Sequence, residues 1–151
     1  MSQRQLDIAD MQCWIFRTAQ KKWNISPKEC TKLFRDYDIP GYISECYELL
    51  HVSSYQCALR DVEDILRVNG VSVMETIVNS IPEESKNACA IQIMRTMLAK
   101  FSDSHGISFD EALLQFTQSD VYETLFDFDT EVWKEGPDYL MMLFKEELDK
   151  E

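Results

Sequence analysis

Ile25-Ser26-Pro27-Lys28-Glu29 and its echo, Ile107-Ser108-Phe109-Asp110-Glu111, decide how this chain is read. Each is the start of a helix. A serine hydroxyl at the N-cap accepts from an orphan N–H three residues on, and the glutamate there can return the bond to the cap. Pro27 falls at the first helical position, where a missing N–H costs nothing. The two starts lie 82 residues apart, and residues 25–39 match residues 107–121 at five of fifteen positions. Ile25/Ile107, Ser26/Ser108, Glu29/Glu111, Phe34/Phe116 and Asp38/Asp120 are the pairs. Capping residues recur in most helical proteins. The phenylalanine at a fixed distance from the cap is the more telling match. A pair of repeats, each burying what the other cannot bury alone, is the plan that such a match suggests.

Working outward, residues 3–23 carry Ile8, Met11, Ile15, Ala19 and Trp23 at spacings of three and four, the stripe of a long helix. Asn24 suits a left-handed stop. The Ser26-capped helix points Cys30, Leu33 and Phe34 inward, and a third runs from Tyr42 to Leu50. Residues 52–59 look less helical, with Val52, Tyr55, Cys57 and Leu59 suited to a short extended segment. Asp61 is expected to cap a helix over 62–68, stopped by Asn69-Gly70. Residues 71–80 suggest a connecting helix. Capping boxes are expected at Ser72–Glu75 and Ser80–Glu83, the second opening a long helix to about Ser104. Gly106 closes that helix, the Ser108-capped helix follows, and Val121–Phe126 forms a short one. Residues 127–136 are expected to be an acidic loop or small hairpin. Pro137 opens the last helix, with Leu140, Leu143, Phe144 and Leu148 inward. The expected fold is all-α: a unit over 1–70 and an acidic unit over 71–151, packed as one globule, with pseudo-symmetry between them an open question.

The chain has 151 residues, of which 45% are hydrophobic and 28% charged. Such a chain buries about 70% of its unfolded surface and needs no staples. Four glycines and four prolines leave little material for the turns of an all-β fold. The five cysteines are odd in number and lack C-x-x-C spacing, which fits reduced core residues in a cytoplasmic protein. Met1-Ser2-Gln3-Arg4 runs straight into a helical pattern, so neither a signal peptide nor a membrane span is expected. The net charge is −12 and lopsided: residues 1–70 hold nine Lys/Arg and ten Asp/Glu, residues 71–151 six and seventeen. An acidic half disfavours nucleic acid and anionic membrane as ligands. It suits a basic or anion-binding protein partner.

Few residue sets invite chemistry. Cys46 and His51 are a thiol and a base five residues apart. The simpler reading places Cys46 on an apolar helix face and His51 at a helix C-terminus, where it suits the dipole. Asp127-Phe128-Asp129-Thr130-Glu131 begins like a calcium loop, but Val132 stands where the turn needs glycine, and Asp138 replaces the bidentate glutamate. Asp61, Glu63 and Asp64 read as acid in a first helical turn. The chain contains no glycine-rich phosphate loop, nucleophile elbow or H-E-x-x-H. No catalytic residue, metal or cofactor is expected.

The long aromatic helix with Trp14-Ile15-Phe16, then Ile25 to Glu29 and Leu33-Phe34, then Tyr42-Ile43, Cys46-Tyr47 and Leu50-His51, then Asp61-Val62-Glu63-Asp64-Ile65, form a recognisable series. Over residues 6–70 it resembles a small family of uncharacterised bacterial and phage-associated helical proteins. Gly136-Pro137-Asp138-Tyr139-Leu140 with Phe144-Lys145-Glu146-Glu147-Leu148 is similar to a tail often joined to such modules. Relatives usually carry a more polar, glycine-containing turn where this chain has Leu50-His51-Val52-Ser53-Ser54. Members tend to be encoded beside a protein resembling an ADP-ribosyltransferase-type toxin, so the resemblance implies a partner or antitoxin role. It carries no catalytic residues to transfer.

The expected function is therefore protein–protein contact as an antitoxin-like inhibitor. Its surface would be Asp127, Asp129, Glu131, Trp133, Glu135, Asp138 and Tyr139. The alternative is a helix-turn-helix DNA-binding regulator presenting Lys28, Lys32 and Arg35.

Overall fold

The computed structural model describes residues 1–73 and 84–150. Among them it contains nine α-helices, two short 3-10 helices and no strand. The connecting helix and the capping boxes expected around Ser72 and Ser80 fall largely on residues 74–83, outside the described residues. The chain divides into two compact units, Ser2–Asn79 and Ser80–Glu151.

In the first unit, α1 (Gln3–Lys22) opens with a full capping box, Ser2 with Gln5, that the sequence reading did not single out. It ends at Trp23, and Asn24 takes the left-handed conformation at φ 51°. Met11, Cys13, Ile15, Phe16 and Ala19 are buried against α2 (Pro27–Asp36), α3 (Ile39–Glu45) and α5 (Tyr55–Val68). Phe34 from α2 meets Phe16 edge-on at 4.9 Å and Trp23 at 6.5 Å. Ser26 caps α2 through the Glu29 N–H at 3.1 Å. Asp38 sits at φ 47° and caps α3 through the Gly41 N–H at 3.3 Å.

Two expectations for this unit fail. The helix expected from Tyr42 to Leu50 is broken at Cys46 into α3 and α4 (Tyr47–Leu50). Residues 55–59 are helical rather than extended. Ser54, not Asp61, is the N-cap of α5, accepting from the Cys57 N–H at 3.3 Å. Alternation at 55, 57 and 59 suggested a strand, but Ala58, Leu59, Val62 and Leu66 form a helical stripe that is buried. Asp61, Glu63 and Asp64 are therefore interior to a helix, and dipole complementarity does not explain them. Glu63 is buried, accepting the Trp23 indole N–H at 3.0 Å and pairing with Lys22 at 2.8 Å.

In the second unit, α6 (Glu84–His105) packs against α7 (Phe109–Thr117) and α9 (Pro137–Asp149). Gly106 is left-handed at φ 64°, as its place after the helix requires. Phe101, Phe116, Phe144 and Tyr122 form the aromatic centre, with ring separations of 5.0, 5.1 and 6.0 Å. Ser119 caps α8 (Asp120–Phe126). Glu147, from α9, accepts the N–H groups of Asp120 and Val121 at 3.1 Å each, which ties α9 to the start of α8. Leu140 and Phe144 are buried as expected, whereas Leu143 and Leu148 are only half-buried. Residues 127–136 form no hairpin. They fold into 3-10 turns at Phe128–Thr130 and Val132–Lys134, joined by Glu131 at φ 59°.

The 82-residue offset seen at the serine caps runs through the element order. α2 begins at Pro27 and α7 at Phe109; α5 begins at Tyr55 and α9 at Pro137. α3 begins at Ile39 and α8 at Asp120, one residue out of register. Each unit is a long helix, a serine-capped helix, a short helix, a tight corner and a closing helix.

Candidate functional site

The acidic segment hangs from α8 and leads into α9. Asp127 ends α8 and caps the first 3-10 turn, accepting the Asp129 N–H at 3.2 Å. Thr130 braces the corner by donating its hydroxyl to the carbonyls of Thr124 and Asp127, both at 2.8 Å. Val132 is the buried anchor. These local bonds turn the acids outward: Asp127, Asp129, Glu131, Glu135 and Asp138 are all exposed. Two of them have ion-pair partners, Lys134 on Glu131 at 3.0 Å and Lys100 on Asp138 at 3.1 Å. Both pairs are exposed, so solvent and salt screen them and a partner can displace them at little cost.

Trp133 lies among these acids, partly buried and edge-on to Phe128 at 6.3 Å. Its indole N–H is shielded from solvent and has no hydrogen-bond partner among the described residues. The ammonium groups of Lys86 and Lys134 stand 5.9 and 5.4 Å from its ring, within cation–π range. Tyr139, 39% exposed, stands one turn into α9. The seven residues singled out from the sequence lie in and around two 3-10 turns and the start of α9 rather than in a loop or hairpin. The orphaned indole N–H and the lysines over its face depend on tertiary packing and were not foreseen.

The other sets are placed as follows. Cys46 is half-buried at the α3–α4 break, not on an apolar helix face. His51 ends α4, with its Nδ1 at 2.9 Å from the Tyr47 carbonyl and its ring stacked on Tyr47 at 5.0 Å. Of the cysteines, Cys13 and Cys30 are core residues, but Cys57 and Cys89 are exposed, so the expectation of five core thiols is corrected. Burial pushes the Cys30 thiol well above its ordinary pKa and keeps it protonated. Lys28, Lys32 and Arg35 are exposed on α2, with Lys32 paired to Asp36 at 2.5 Å. Among the described residues, no three His, Cys, Asp or Glu side chains converge as metal ligands. No helix among them is long and apolar enough to cross a membrane.

Residues 10–69 match the model of a family described as "Protein of unknown function (DUF3791)". The matched stretch lies within the first unit, and the acidic segment lies outside it. No curated protein and no solved structure matches the chain.

Proposed function

We propose that this chain works by protein–protein contact rather than catalysis, with the surface from Asp127 to Tyr139 as its footprint on a basic or anion-binding partner. The observation that carries the reading is the set of five exposed carboxylates around Trp133, whose indole N–H has no acceptor among the described residues. Tryptophan and tyrosine at the centre of a charged rim are the usual composition of an interaction hot spot. The net charge of −12 would steer a cationic partner toward the chain.

The resemblance over residues 6–70 supplies a specific partner: a neighbouring ADP-ribosyltransferase-like protein, inhibited in the manner of an antitoxin in the cytoplasm. The test is co-expression with the adjacent gene product. The reading requires co-purification and relief of toxicity, and it fails if a charge-reversed 127–138 segment binds as tightly and as fast as the native one. DNA binding through α2 has less support, because Asp36 already engages Lys32 and the chain carries a net charge of −12.

A further inference from the structure

The 82-residue offset reaches below the element order into the two cores. Buried positions of the first unit fall on buried positions of the second. Ile15 falls on Met97 in the long helix, Phe34 on Phe116 in the serine-capped helix, and Ile43 on Leu125 in the short one. In the closing helix Ala58 falls on Leu140 and Val62 on Phe144. The corners agree as well, although one holds α4 and the other 3-10 turns: Leu50 and Val132 are their buried anchors. A helix repeats its face about every 3.6 residues, so periodicity alone aligns one helix with another in several registers. It does not align successive helices and the connections between them in a single register. The joint between the first two helices of each unit repeats down to its hydrogen bonds. Asn24 and Gly106 are both left-handed, at φ 51° and 64°. The Ile25 N–H donates to the Gln20 carbonyl at 3.3 Å and the Ile107 N–H to the Ser102 carbonyl at 3.2 Å, the same helix-closing bond at the same offset. Ser26 and Ser108 then each accept from a glutamate N–H at 3.1 Å.

We infer that the second unit is a second, diverged copy of the module matched at residues 10–69, with residues 92–151 as the counterpart of that stretch. A core is held by packing, whereas substitutions at exposed positions cost little, so a duplicated module keeps its buried register and loses its surface likeness. The corner before the closing helix follows that rule. Leu49, Val52 and Gln56 are exposed in the first unit, and Glu131, Lys134 and Asp138, their counterparts, are exposed in the second. One corner presents apolar side chains and the other charged ones on the same plan. The acidic segment from Asp127 to Tyr139 is therefore the second copy's version of the corner at residues 45–57, a built-in part of the module rather than an appendage to it. The second copy stands whether or not that segment binds a partner.

The test exchanges residues 25–43 of the full chain for residues 107–125, beside two controls one residue out of register, 106–124 and 108–126. A shift of one residue turns every inward position by about 100° around its helix. The indole proton of Trp23, bonded to Glu63, reports on the first unit. In the in-register chimera it should stay protected from exchange with solvent, and in both controls it should lose that protection. Protection kept in all three chimeras, or kept only in a shifted one, would overturn the second copy. A crystal structure of the unaltered chain decides the matter even where no chimera folds. The Cα atoms of residues 9–66 should superpose better on those of residues 91–148 than on any stretch displaced from it by a few residues. A better fit at a displaced register would overturn the duplication.

Discussion

Glu63 offers the sharpest prediction, because its carboxylate is buried and serves two donors. It is 7% exposed, at 3.0 Å from the Trp23 indole nitrogen and 2.8 Å from the Lys22 ammonium. Glu63→Ala strands the Trp23 N–H in a residue only 3% exposed. An orphaned buried donor costs about 1–3 kcal/mol. The Lys22 side chain keeps 29% of its surface in water and rehydrates, so its lost attraction adds less than about 1 kcal/mol. Deleted methylene contacts bring the expected loss to about 2–4 kcal/mol. Glu63→Gln keeps an acceptor oxygen for the indole and should lose only about 1 kcal/mol. Urea titrations of the three proteins, followed by tryptophan fluorescence, give the ranking. The Trp23 indole proton resonance should move sharply in the alanine variant and little in the glutamine one. Equal losses for the two substitutions, or a loss under about 0.5 kcal/mol for alanine, would refute the assigned role of the hydrogen bond.

Other expectations follow from single contacts. Ser26→Ala should lower stability by about 1 kcal/mol and leave partner binding intact, as read by calorimetry and pull-down. Gly41→Ala should cost a comparable amount, because the new Cβ would run into the Asp38 carboxylate that caps α3. Brief alkylation of native protein followed by peptide mapping should mark the exposed Cys57 and Cys89 first, with Cys13 and Cys30 reacting only on unfolding; fast labelling of Cys46 would instead revive a thiol chemistry there. The phenols of Tyr42, Tyr47 and Tyr55 are held above their ordinary pKa, chiefly by burial. Above about pH 10 the unfolded chain therefore binds fewer protons than the folded one, and stability should fall as pH rises through that range.

Local interactions made much of the plan legible from the chain alone. Ser26, Ser108, Asn24, Gly106 and Pro137 act within a turn of themselves, so their residue types placed helix ends that the structure contains. Apolar spacing located the face of α1, where Met11, Ile15, Ala19 and Trp23 are buried and Ile8 is half-buried. The repeat of Ile-Ser-x-x-Glu and Phe exposed an offset that the element order follows through both units. Tertiary packing decided what local rules could not. Residues 55–59 have an alternating pattern, but the Ser54 cap starts a helix there and the burial of Ala58, Leu59, Val62 and Leu66 on one side holds it. Glu63 looked like a first-turn acid until Trp23, forty residues earlier, gave it a donor. The acidic segment was legible because like charges collect visibly in sequence, but the unpaired indole of Trp133 was not, since a missing partner has no sequence signature.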